Sequence, residues 1–368
     1  MSPPRSTTWD PPDHTRRGKH TVLREYLKAW FPIMAFPNRR LVFVDGFAGP
    51  GEYPGGEPGS PVIAMETYRR GYPAFAKKFA GGEMVFLFVE REPDRVAHLR
   101  EVVEKTRSNP LPGHVRIEVE AADFESAMRA VLGSLKPGMD LAPAFVMVDP
   151  FGVKGFPMEL LGRLLQRGKV ELYISFMYEW IDRFKSTDEF GPLLTPLYGT
   201  DEWRKALDLK GDAKRDFLLG LYERQLRAVG AKHVLRFDLY RNGRNVYALF
   251  FATKHPKGAD VMKGAMWKVA PFGDFAFHGR RDAQRTLGML EPDLTPLRDA
   301  ILAEFGVRGW ITIEDVEEFV SSDKTDFHTG QLRKPVLIPM ERQGRIEVDP
   351  KSRKAKWGFP AGTTFRFR

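Results

Sequence analysis

Residues 41 to 51 read Leu-Val-Phe-Val-Asp-Gly-Phe-Ala-Gly-Pro-Gly, an apolar run that stops at an acid and turns through closely spaced glycines. A strand ending this way lets a ligand approach bare backbone at the carboxyl edge of a sheet, where open α/β folds hold cofactors. A glycine-rich turn without a ligand has the same local sequence, so the segment gains its meaning from the elements downstream of it.

The strand-then-helix pattern repeats. Met84 to Val89 reads as a buried strand ending at Glu90, followed by a helix from Glu92 to Lys105. His114 to Val119 is a strand followed by Asp123-Phe124 and a helix. Ala144 to Val148 ends in Asp149-Pro150-Phe151-Gly152, Pro157 to Gln166 is helical, and Val170 to Phe176 is another apolar strand. Ahead of them, His20 to Phe31 carries Val22, Leu23, Tyr26, Leu27 and Trp30 at helical spacing, and Ser60 is placed to N-cap a helix opening at Pro61. Five strands alternating with helices predict a parallel, doubly wound sheet. His233 to Tyr240 and Val246 to Thr253 flank Arg241-Asn242-Gly243-Arg244, a hairpin signal. A terminal antiparallel hairpin on a parallel sheet is the class I methyltransferase variation on the Rossmann-like α/β theme.

Domain boundaries can be placed from these elements. Residues 1–18 are an extension, 19–270 the main domain with a helical insertion at about 180–230, and 271–293 a Gly, Pro and charge-rich linker. Residues 294–368 read as three helical segments (Leu297 to Phe305, Ile313 to Val320, Leu332 to Arg342) and a two-stranded tail around the basic loop Lys351 to Lys356. That order predicts a C-terminal winged-helix module with a recognition helix from Gly330 to Arg342, kept short or irregular by Pro335 and Pro339. Ten Lys or Arg against three acids give residues 331–368 a net +7 of the chain's +9. Arg333, Lys334, Lys351, Arg353, Lys354 and Lys356 are thus candidates for a nucleic-acid surface, DNA or RNA; a solvated or protein-docking basic face fits the same charge.

The chain has 368 residues, 42% of them hydrophobic, enough for a sizeable core. No apolar run reaches membrane-spanning length, and Met1-Ser2-Pro3-Pro4-Arg5 lacks the apolar stretch of a secretory signal, so no membrane association and a cytoplasmic location are expected. The absence of cysteine excludes disulfides, thiolate metal sites and methylation of a pyrimidine carbon through a cysteine adduct. No pair of His ligands at metal spacing points to a metal site.

Several residues suit a nucleoside-containing cofactor. Asp45 and the Gly46, Gly49, Gly51 loop are placed for the methionine and ribose end of S-adenosylmethionine, whose ammonium favours a nearby carboxylate. Glu90 is placed to accept from ribose hydroxyls. Asp123 can face the adenine amino group with Phe124 along its ring, and Asp123 serves equally well as a helix N-cap. Asp149-Pro150-Phe151 can accept from an exocyclic amine while the ring stacks on an extruded base; a tight turn with Phe151 in the core has the same sequence. Lys19, read as an exposed cation, can contact phosphate or cofactor. Arg183 comes after the fifth strand, and Phe176 and Trp180 read as buried packing.

Together these blocks resemble the three-Cys-motif partner family: His14-Thr15 with Lys19-His20, Val44 to Tyr53, Gly59-Ser60-Pro61, Val148 to Gly152, and Ala252 to Gly258. The resemblance spans roughly residues 14 to 268. It implies a class I methyltransferase fold, a cofactor loop at Asp45 to Gly51 and a radical-SAM-like partner. A more distant similarity is to ribosomal RNA adenine methyltransferases, whose Asp-x-x-Ala-Gly-x-Gly-x-Tyr loop is matched by Asp45, Ala48, Gly49, Gly51 and Tyr53, with Phe47 inside it. Asp149 and Pro150 match half of their Asp-Pro-Pro-Tyr motif, and Phe151-Gly152 departs from it. The expectation is an S-adenosylmethionine-dependent methyltransferase acting on a nucleic-acid base amino group, or else a partner-dependent, non-catalytic accessory protein.

Overall fold

The computed structural model describes residues 18–36, 38–182, 187–241, 244–271, 275–277, 292–354 and 356–368. His14-Thr15, Arg183, the hairpin turn at 242–243 and most of the expected linker lie outside them.

The main unit opens with α1 (His20–Met34) and β1 (Arg40–Asp45), then α2 (Ser60–Gly71), β2 (Glu83–Glu90), α3 (Pro93–Arg107), β3 (Val115–Ala121) and α4 (Phe124–Gly133). It continues through β4 (Ala144–Val148), α5 (Met158–Leu165) and β5 (Val170–Phe176) to α6 (Tyr178–Asp182), α7 (Thr187–Tyr198) and α8 (Gly211–Ala228). The hairpin β6 (His233–Arg241) and β7 (Arg244–Thr253), α9 (Pro256–Val269) and β8 (Ala276–Phe277) complete it. Spatial order in the sheet is β3-β2-β1-β4-β5-β7-β6-β8, with β1 to β5 parallel and β7 antiparallel to both neighbours. This is the Rossmann-like class I methyltransferase sheet, extended at one edge by β8. That short strand lies within the expected linker and pairs with β6.

The apolar strand runs are continuous because both faces are covered. Along β4, Phe145 and Met147 join a core shared with α1, α2 and α9, while Ala144, Val146 and Val148 face α4, α5 and α8. In α1, Val22, Leu23, Tyr26, Leu27, Trp30 and Phe31 form the buried stripe that its spacing predicts. Ser60 is not the cap of α2: Gly59 holds that position without a side-chain bond, and Ser60 is the first helical residue. A Cβ at residue 59 would lie 2.6 Å from the Gly51 carbonyl oxygen, so close approach of the two loops, rather than capping chemistry, sets this helix start.

The C-terminal part comprises α10 (Thr295–Phe305), β9 (Ile311–Thr312), α11 (Ile313–Ser321), α12 (Ile338–Arg342), β10 (Ile346–Val348) and β11 (Thr364–Phe367). Its three strands form an antiparallel sheet in the order β10-β11-β9. The expected helix from Gly330 to Arg342 is interrupted. A 3₁₀ turn at Thr329–Gln331 and a π turn at Arg333–Leu337 precede α12, and the Leu337 N–H reaches back five residues to the Leu332 carbonyl at 3.0 Å. Pro335 and Pro339 bring no N–H to an α-helical ladder, which accounts for the change of pitch. Leu297, Ile301, Val316 and Leu337 share the core of α1 and α9, so this part is docked on the main sheet unit. No helix of the described residues is long and apolar enough to cross a membrane.

Candidate active site

Sheet register gathers three acids at one edge. Asp45 is opposite Phe88 on β2 and Met147 on β4, and Glu90 and Asp149 lie two residues beyond those partners. The Gly46 N–H donates to the Met147 carbonyl at 2.9 Å, closing β1 against β4 where the sheet order reverses. A Cβ on Gly46 would sit 2.2 Å from Phe124 Cδ2, so only glycine lets the loop pass under that ring. The loop then turns through Gly49, with φ +61°, whose N–H donates to Glu90 Oε2 at 3.0 Å. Glu92 N–H donates to Glu90 Oε1 at 2.9 Å. Glu90 therefore fastens the glycine loop to β2, and each oxygen retains a lone pair for a further donor.

Beside this edge lies a cavity of about 880 Å³. Its wall includes Gly46, Phe47, Glu90, Asp123, Phe124, Pro150 and Phe151, all expected from sequence, and also Arg91, Arg95, Lys154, Trp180, Phe190 and Leu193. Asp123 combines both of its readings: it lines the wall and caps α4, accepting from Ser126 N–H at 2.9 Å and Ser126 Oγ at 2.7 Å. These bonds hold its carboxyl below the usual range. Phe124 is buried, with its ring 5.5 Å from that of Phe47. Phe151 is 58% exposed, not in the core, and the Arg95 guanidinium lies 5.8 Å from its ring centre.

Trp180 departs from the buried reading. It is 43% exposed and lines the cavity, whereas Phe176 is buried beside Tyr222. Arg91 and Arg95, absent from the sequence reading, flank the start of α3. Their position was legible in principle, because a helix following a parallel strand begins at the carboxyl edge.

The remaining expected residues do not line this cavity. Lys19, Asp45, Tyr53 and Asp149 form a polar cluster next to it. Lys19 is buried rather than exposed and is ion-paired to Asp149. Burial opposes both charges, but the mutual attraction prevails, so the Asp149 carboxyl lies below its usual range and the Lys19 ammonium above its own. Burial pushes Asp45 up to about 6, and the nearby Asp149 charge adds to this. Asp45 Oδ1 accepts from Phe47 N–H at 3.2 Å, the Ser60 hydroxyl lies near enough to oppose the rise, and Oδ2 has no partner at hydrogen-bond geometry. Burial and the Lys19 charge lower His20 to about 3, so it is neutral at pH 7; burial raises Tyr53 to about 12. Ala48 is buried with its N–H on the Val89 carbonyl. Gly51, with φ +85°, packs under Leu99 and Val102 of α3. Ala48, Gly49 and Gly51 thus shape the loop from behind instead of lining the cavity.

Of the basic C-terminal candidates, Lys334, Lys351, Lys354 and Lys356 are exposed. Arg333 is paired with Glu317 at 2.8 Å. Arg353 is corrected to a structural role: its side chain is 8% exposed, ion-paired to Glu341, and donates to the Gly358 carbonyl at 2.8 Å. A guanidinium buried in this way, with three of its donors on Glu341 and the Gly358 carbonyl, is already committed to holding the loop and is not a free cation for phosphate.

No family model matches the chain, and no curated protein matches it. Among solved structures, EvdMO1 aligns at 12% identity over 65% of this chain and 42% of its own, with a TM-score of 0.33. The chain thus spans about two fifths of EvdMO1. An O-methyltransferase from Bacillus cereus in complex with SAH aligns at 11% identity over 63% and 80% of the two chains, TM-score 0.34. The O-methyltransferase TomG from Streptomyces achromogenes, in complex with SAM, aligns at 10% identity over 67% and 92%, TM-score 0.33. Likenesses this slight transfer neither substrate nor residue roles.

Proposed function

We propose that the chain is an S-adenosylmethionine-dependent methyltransferase acting on nucleic acid, at a base amino group oriented by Asp149. The observation that carries this reading is the unpartnered Asp45 Oδ2, buried where β1 meets the glycine loop and beside a cavity edged by Glu90, Asp123 and Phe124. A ligand with an ammonium at one end, a ribose in the middle and an aminopurine at the other fits those groups in that order. Asp45 would hold the ammonium, Glu90 the ribose hydroxyls, and Asp123 with Phe124 the adenine.

The cofactor, when bound, supplies an electrophilic methyl group. The chain's own residues do the positioning. The Lys19 ion pair keeps Asp149 ionised at neutral pH, so it accepts from an amine and does not donate. Phe151, exposed at the cavity rim, offers a face for the acceptor base.

A second reading, an accessory protein working with a radical-SAM-like three-Cys-motif partner, is favoured by Lys19 occupying one Asp149 oxygen and by Phe151-Gly152 in place of Pro-Tyr. Calorimetric titration with S-adenosylmethionine and S-adenosylhomocysteine separates the two readings. Binding that is lost in Asp45→Ala supports the first, and methyl transfer to oligonucleotides should then vanish in Asp149→Ala with cofactor affinity retained. Absence of binding by the wild type favours the second.

A further inference from the structure

Trp357 lies in the connection between β10 and β11 and has a φ of +60°. That left-handed conformation is strained for a bulky residue. Among the described residues only one other non-glycine, Phe275, has positive φ, and Phe275 is buried. Trp357 is 44% exposed, so its strain is not offset by burial of the ring. An outward-held indole on a strained backbone is the reverse of what stability alone selects.

The base of this connection is fixed. Arg353 is clamped to Glu341 and Gly358 and lies over the buried Phe359 ring at 5.6 Å, so the loop is held on both sides of Trp357. The Arg342 guanidinium, at the end of α12, is 5.5 Å from the Trp357 ring centre. Lys351, Lys354 and Lys356 are exposed on the same connection, and no carboxylate pairs with them or with Arg342 among the described residues. Trp310, the other exposed indole of this module, provides the contrast: its arginine, Arg366, is neutralised by Glu347 at 2.9 Å.

We infer that Trp357 is a stacking platform for an unpaired nucleobase, with Arg342 and the three lysines serving the flanking phosphates. The inference deepens the proposed function and rests on its nucleic-acid reading. An unpaired base offers a full π-face to an indole, whereas a base inside a duplex is already stacked. The site therefore prefers single strands, and the lysines make its binding salt-dependent.

The test is fluorescence anisotropy of the full chain with a labelled oligodeoxythymidine of about 12 nucleotides and with a duplex of equal length. Salt is varied between about 50 and 200 mM. Trp357→Ala should weaken single-strand binding by about tenfold, leave duplex binding and the salt slope unchanged, and be largely rescued by Trp357→Phe. Unchanged single-strand affinity in Trp357→Ala, or an equal loss on both oligonucleotides, overturns the stacking site and leaves the nucleic-acid reading standing. Failure of the wild type to bind either oligonucleotide overturns both.

Discussion

The ammonium of Lys19, at the entrance to α1, is ion-paired with the carboxylate of Asp149, 130 positions later at the end of β4. Tyr173 donates its hydroxyl to the Lys19 carbonyl at 3.0 Å, and Lys19 Nζ lies 5.9 Å from the Tyr247 ring, so β5 and β7 hold the lysine in place. Neutral His20 beside it adds no competing charge. The orientation of Asp149 thus depends on the segment that precedes the first helix.

Replacing Lys19 by Met leaves Asp149 without its counter-charge. Breaking a fully buried pair costs ~3–5 kcal/mol, and with the Asp149 side chain still 26% exposed we expect about 1–3 kcal/mol here. Because the pair holds the Asp149 pKa below its unfolded value, this stabilisation is present above about pH 4 and fades as pH falls through the depressed folded value. Urea denaturation of wild type and Lys19→Met across this range measures it. A stability difference that persists undiminished at the acid end would rule out the ion pair as its source.

Asp45 has the opposite sign. Its folded pKa of about 6 lies above the ordinary 3.8, so the native state keeps the proton longer and stability falls as pH rises between those values. Asp45→Asn should therefore gain about 1–3 kcal/mol over wild type at pH 7 and nothing below pH ~4. If the cofactor's ammonium meets this carboxylate, wild-type affinity rises as pH passes through about 6, while the Asn variant shows a flat profile. Parallel profiles for the two proteins would place the ammonium elsewhere.

Much of this was legible in the sequence because the relevant signals are local. Apolar runs ending in Asp45 and Glu90 give strand ends directly, and the parallel register brings those ends to one edge. The Lys19–Asp149 pair was not legible, since neither residue's neighbourhood names its partner. Trp180 illustrates another limit: an aromatic just after a strand has the same sequence whether it packs inward or lines a cavity. In the sequence Arg353 has the same setting as the neighbouring loop cations, and only tertiary contact with Glu341 separates it from them.

Phe151 distinguishes acceptor from cofactor. With its ring 58% exposed, Phe151→Ala should change stability by less than ~0.5 kcal/mol and leave S-adenosylmethionine affinity unchanged. If the ring stacks on the acceptor base, the KM for an oligonucleotide acceptor should rise by about tenfold. Loss of cofactor binding instead would assign Phe151 to the cofactor pocket.

Lys263 tests whether the two parts of the chain act together. It is fully buried on α9, and its three donors reach the carbonyl of Val320 in the last turn of α11 and those of Ser322 (2.6 Å) and Thr325 (3.1 Å) just beyond it. Burial lowers its pKa to about 8, still above neutrality, so the charged form that fills all three bonds persists at pH 7. Around it, Asp260 accepts from Thr329 N–H at 2.7 Å, and Asp323 is bound by Arg227 and by Val234 N–H. Lys263→Met would remove a donor from three buried carbonyls, of which that of Val320 keeps the Thr325 hydroxyl, an expected loss of about 3 kcal/mol. The damage is confined to the seam, so cofactor titration and oligonucleotide anisotropy should each remain near wild type. If the C-terminal part holds the strand whose base enters the cavity, as proposed, methyl transfer should fall by at least tenfold. Retention of full transfer by a demonstrably destabilised Lys263→Met protein would mean that the main sheet unit selects its acceptor alone.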